Sequence, residues 1–179
     1  VQGGGQYTGK AIGVAVSDSP TGPFTDAIGR PLVDDKMTSN GERGWWNDID
    51  PTVLIDDDGT AWLCWGNGTC FIARLKDNMI ELDGDIMVID LPRYVEGPWL
   101  HKRGDMYYLT YASMGKGREN ISYATADRMG DKWEYRGELT GMAENSFTIH
   151  PGIAEFNGEW YLFYHNAVLS LDGHDGAIG

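Results

Sequence analysis

Three polar side chains stand at comparable places in this chain: Asp50 before Pro51, Glu96 before Gly97-Pro98, and His150 before Pro151. Each precedes a proline corner and then an apolar run. If the chain gathers them, two carboxyls and an imidazole share one pocket. Two carboxyls are the minimum for breaking a glycosidic bond, because one must give a proton to the leaving oxygen while another acts on water or on the sugar. Glu96 is the candidate acid. It lies between Val95 and Gly97 with Tyr94 and Trp99 close by, and desolvation among aromatic surfaces would raise its pKa toward neutrality. Asp50 would stay ionised beside it and favour its protonated form by like-charge repulsion. In so acidic a chain His150 suits a hard cation such as calcium, as one ligand or as a partner behind the ligands. Trp45 and Trp46, just upstream of Asp50, offer flat faces on which a sugar ring could stack. Each residue also has a plainer reading. Isolated glutamates are mostly solvated, Asp-Pro commonly opens a turn, a histidine can be satisfied by backbone groups, and one of the two tryptophans could belong to a core.

What separates these readings is internal repetition. Asp50-Pro51-Thr52-Val53-Leu54-Ile55 leads through Asp56-Asp57-Asp58-Gly59 to Trp62-Leu63-Cys64-Trp65. Glu96-Gly97-Pro98-Trp99-Leu100 leads through Gly104 to Tyr108-Leu109-Thr110-Tyr111, and His150-Pro151-Gly152-Ile153 leads through Asn157-Gly158 to Tyr161-Leu162-Phe163-Tyr164. Each copy reads as a polar residue, a proline corner, a strand, a glycine turn and an aromatic-Leu-x-aromatic strand. The second strands recur about every fifty residues, within the range of propeller blades. A further template pairs Ile12 with Ile121, Ala15 with Ala124 and Asp18 with Asp127 at one offset, as third strands ending in an outer turn. Phe71-Ile72-Ala73-Arg74-Leu75 takes that place in the middle copy, with residues 78–85 as its turn. The three polar residues then open equivalent innermost strands and should converge at one end of a common axis.

Composition agrees with an all-β protein. There are 21 aromatic residues and 25 glycines in 179 residues, and no long helical periodicity. The net charge of −13 argues against nucleic acid or an anionic membrane and suits a neutral sugar or a cation. Asp56-Asp57-Asp58-Gly59 lacks the spacing and the distal glutamate of a calcium loop, so it reads as a solvated hairpin turn. Cys64 and Cys70 flank Asn67-Gly68. A two-residue turn there would oppose Cys64 to Phe71 and Cys70 to Trp65, with the sulfurs on opposite faces, whereas a longer loop would bring them together.

These motifs, with Asp48-Ile49 ahead of Asp50, Tyr164-His165-Asn166 near the end and Ser17-Asp18-Ser19-Pro20-Thr21-Gly22-Pro23-Phe24 as an inter-blade turn, resemble glycoside hydrolase family 43 over nearly the whole chain. The resemblance implies a five-bladed β-propeller that hydrolyses arabinose- or xylose-containing plant polysaccharides with inversion. It implies Glu96 as general acid, Asp50 as the residue that orients it and raises its pKa, and His150 as the axial residue near a bound cation. Residues 1–179 would then supply roughly three blades, a partial propeller truncated at both ends. The family's general base, an aspartate of the first blade, has no counterpart here, so the isolated segment is expected to be inactive until a complementary segment completes the ring. Two other classes stay open: a propeller that binds oligo- or polysaccharide without cleaving it, and a purely structural one. A secreted or cell-surface bacterial location is expected, with an intracellular one as the alternative.

Overall fold

The computed structural model describes residues 9–38 and 46–169; apart from the four-residue helix α1 (Asp35–Thr38), its regular structure is all strand. Trp45 lies outside the described residues. The strand made of β1 (Ala11–Ile12) and β2 (Ala15–Val16) is paired by the returning β3 (Thr25–Asp26) and β4 (Val33–Asp34). Ala27 N–H to Val14 O at 3.0 Å and Leu32 N–H to Ile12 O at 2.8 Å continue that ladder between the short strands. Two complete antiparallel meanders follow. The first is β5 (Thr52–Ile55), β6 (Ala61–Trp65), β7 (Cys70–Leu75) and β8 (Met87–Ile89), and the second is β9 (Tyr94–Arg103), β10 (Met106–Met114), β11 (Glu119–Ala126) and β12 (Glu134–Glu138). A last hairpin joins β13 (Pro151–Phe156) to β14 (Glu159–Tyr164). The expected architecture is therefore present: an outer strand pair, two whole blades, and the opening half of another.

Period-two alternation explains why the blades stack. Ala61, Leu63 and Trp65 of β6, with Phe71, Ala73 and Leu75 of β7, turn one face toward Ile12, Leu32 and Val33 of the outer strand pair. Cys64 of β6 and Cys70 and Ile72 of β7 turn the other face toward Leu100, Leu109, Tyr111 and Ala124 of the second blade. Both faces of β6 and β7 are thus largely buried, which accounts for their apolar runs, whereas Val53 and Ile55 of β5 and Val88 of β8 stay exposed. Ile121, Ala143 and Ile149, with Leu162, form a smaller cluster between the second blade and the last hairpin. Phe156, Phe163 and Tyr164 of that hairpin stay exposed. Asp56, in the β5–β6 turn, ties the blades together through Lys102 Nζ at 2.6 Å and the Tyr107 hydroxyl. That turn is a hairpin as expected, although Asp56 is more enclosed than a solvated turn residue.

The register settles one open reading and corrects another. β6 and β7 pair Trp65 with Phe71 and Cys64 with Ile72, one residue away from the register of a two-residue turn. Residues 67–69 form the longer loop, so Cys64 and Cys70 share a face, both buried as free thiols with their sulfurs in hydrogen-bond contact at 3.6 Å. Glu96, in turn, does not precede its strand but lies inside β9. The strand continues through it because a bulge between the Thr110 and Ala112 pairings absorbs Gly97.

Candidate active site

The starts of β5, β9 and β13 bring Asp50, Glu96 and His150 together, with one ligand atom of each lying within 4.8 Å of the others. His150 Nε2 is 3.2 Å from Glu96 Oε1 and 4.0 Å from Asp50 Oδ2. Asp50 Oδ2 also accepts the Gly97 N–H at 3.2 Å. Asp50 adopts a left-handed backbone at φ 55°, a conformation aspartate tolerates better than most residues. Its neighbour Ile49 is held there by Gly66 N–H donating to Ile49 O at 3.0 Å. Gly97 has φ +60°, and a Cβ at that position would lie 3.0 Å from His150 Cγ, so the glycine both makes the bulge and leaves a seat for the imidazole. Gly97→Ala is therefore expected to lower stability by about 1–2 kcal/mol and to push His150 off Glu96. Urea unfolding and the imidazole nitrogen resonances would show the two effects.

Asn67 was legible only as a turn residue, yet its Nδ2 donates to Glu96 Oε2 at 2.7 Å. The loop docks on β9 through Gly68 N–H to Val95 O at 2.6 Å, and Tyr94 Oη donates to Gly66 O at 2.8 Å. The blade repeat held the signal that could have found it, since the turn between second and third strands lies at the same end of the blade as the start of the first. His165 is a second addition. Its Nδ1 accepts from His150 N–H at 3.4 Å, and its Nε2 is 3.2 Å from Thr148 Oγ1. Trp46 is exposed and carries Lys10 Nζ over its ring at 4.9 Å.

The electrostatics reverse one expectation. Glu96 was expected to have a raised pKa, but the hydrogen bond from His150, helped by Asn67, holds its carboxyl below the usual range against the opposing effect of burial. Asp50 is the raised carboxyl, because burial and the Glu96 charge outweigh His150 and the Gly97 N–H. His150 is raised by its bond to Glu96. The physical reason is that both Glu96 oxygens face donors, which favours the ionised form more than the aromatic surroundings disfavour it. The donor set, two carboxylates and one imidazole around a space less than 5 Å across, fits part of the shell of a hard cation.

Repeated four-stranded blades, with two carboxylates and an imidazole delivered to one point by successive first strands, define a β-propeller with an acidic axial site. The chain belongs to the glycosyl hydrolases family 43, whose profile matches residues 3–176, and hence to a family of five-bladed propellers. A protein of Aspergillus niger named β-D-galactofuranosidase is 31% identical over 174 residues, covering 96% of this chain and 46% of that protein. An α-L-arabinofuranosidase structure from Clostridium thermocellum shares 34% identity at a TM-score of 0.76, covering 92% of this chain and 56% of the other. A β-xylosidase/α-arabinofuranosidase from a compost metagenome, solved with xylotriose in a calcium-free form, shares 29% identity at a TM-score of 0.74 and covers 91% and 58%. The chain thus spans about half the length of these similar proteins.

Proposed function

We propose that the protein carrying this chain hydrolyses glycosidic bonds in arabinose- or xylose-containing plant polysaccharides with inversion, using Glu96 as general acid and Asp50 as the carboxylate that orients it. The observation that carries this reading is the meeting of Asp50, Glu96 and His150 within 4.8 Å in a member of a glycosyl hydrolase family. In the ligand-free geometry Glu96 accepts from Asn67 and His150 and is held ionised. A sugar whose leaving oxygen takes the place of the His150 N–H at Oε1 removes the main stabiliser of that charge. Burial and Asp50 then push the carboxyl toward its protonated form, which is the form an acid needs.

An inverting base stands roughly 6.5–9.5 Å from the acid, with water between. Asp50 comes within 4.8 Å of Glu96, closer than an inverting base stands, so it is a neighbour of the acid and the base role falls to another carboxylate. The same short separation supports one competing reading, in which Asp50 attacks the sugar and configuration is retained; retaining pairs stand roughly 5–5.5 Å apart. His150 would face a calcium ion, which would supply positive charge beside the two carboxylates. The exposed Trp46 ring, and Trp45, are proposed as stacking faces for oligosaccharide units. A polymer that cannot cross a membrane favours a secreted or cell-surface location.

The test is hydrolysis of aryl α-L-arabinofuranoside and aryl β-D-xyloside by the full-length protein, with the first-formed anomer followed by NMR. Inverted sugar from either substrate supports the proposal. Retained configuration would assign Asp50 as nucleophile, and no hydrolysis of either would overturn the reading.

A further inference from the structure

The loop 139–150 carries the imidazole to the axis, and Glu119, the first residue of β11, holds that loop at three points. Its N–H donates to Phe147 O at 3.1 Å and its carbonyl accepts from Ala143 N–H at 2.8 Å. Its carboxyl Oε2 accepts from Ile149 N–H at 3.1 Å. The residue is 0% exposed, and Oε1 is buried without a partner among the described residues. Nearby Ile121, Ala143 and Ile149 pack as an apolar cluster. For packing alone, an apolar residue would cost less than a carboxyl with one oxygen unsatisfied. Burial accordingly pushes this carboxyl up to about 7. What the carboxyl does provide is an acceptor for the residue directly before His150. The backbone of His150 is otherwise held through its own N–H by the longer 3.4 Å bond to His165.

We infer that Glu119 is a positioning residue for the axial site, its carboxyl anchoring Ile149 so that the backbone delivers His150 Nε2 to Glu96 Oε1. This rests on the reading of that site as catalytic. The full-length protein is compared with Glu119→Leu, which has no acceptor, Glu119→Asp, which is too short to reach Ile149, and Glu119→Gln, whose amide oxygen can accept the same N–H. Misplacement of a catalytic group by about 1 Å can cost up to 10²-fold, so kcat is expected to fall by about tenfold or more in the Leu and Asp variants, with KM within about twofold. Glu119→Gln should stay within about threefold of the wild type, because the geometry that sets the rate is kept. The imidazole ¹⁵N resonances of His150 should shift in the Leu and Asp variants and not in the Gln variant. If Leu fails to fold, Asp and Gln carry the comparison. Unchanged kcat and unchanged His150 resonances without the acceptor would overturn the inference, as would a loss in Gln equal to that in Asp. If the wild type hydrolyses no glycoside, the proposed function fails, and the His150 resonances alone then decide for or against the positioning role.

Discussion

Glu96→Gln is expected to lower kcat by about 10²–10⁴ on natural glycosides, the range over which a positioned proton donor contributes. Substrates with an activated aryl leaving group should lose far less, because that oxygen departs without needing a proton. The amide keeps the size of the side chain and can still accept from Asn67 or His150, so the fold and the start of β9 should survive. Paired kinetics on an aryl glycoside and an arabinoxylan oligosaccharide, with a melting curve for each protein, make the check. Equal losses on both substrates would mean that Glu96 does something other than donate a proton.

The second large effect is on stability. Glu119 is buried, and its carboxyl is pushed from 4.5 up to about 7, by burial first, with the Glu96 and Asp50 charges adding to it and the Ile149 N–H and His150 opposing. Between those values the folded protein holds a proton that the unfolded chain has released. Stability contributed by this group is therefore fully present below about pH 4.5 and is lost as pH rises through about 7. The loss integrates to about 3 kcal/mol. Glu119→Gln cannot ionise and should show none of it, so the variant becomes the more stable protein above pH 7 while the two converge near pH 4.5. Urea denaturation of the full-length pair at several pH values would measure this. Parallel stability curves would show that Glu119 ionises normally in the fold.

Much of this site was legible because the chain repeats itself. Asp50, Glu96 and His150 are of different types and lie far apart in the chain, and no single motif joins them. Their shared place before a proline and an apolar strand was enough to predict their meeting. The blade strands were equally plain, since Leu63 and Cys64, or Ile72 and Ala73, must face opposite sides of a sheet, and both sides are apolar. Asn67 and Glu119 were not legible as parts of the site, and the Cys64–Cys70 contact stood only as one of two alternatives. Each depends on a loop or on a register one residue different from the simplest turn, and a shift of one residue reverses which face a side chain occupies.

Local pattern determined what repeats along this chain: strand periodicity, turn residues, and the polar residue that opens each blade. Each of these follows from backbone geometry over a few residues, and the repeat multiplies the signal. Only the tertiary structure decided the charge state around Glu96. A carboxyl's pKa depends on which donors reach its two oxygens, and here those donors come from a turn of the preceding blade and from the first strand of the following one. Aromatic neighbours in sequence suggested a raised value. Asn67 and His150, brought in from 29 and 54 residues away, lower it, because a hydrogen bond to an ionised oxygen outweighs partial burial.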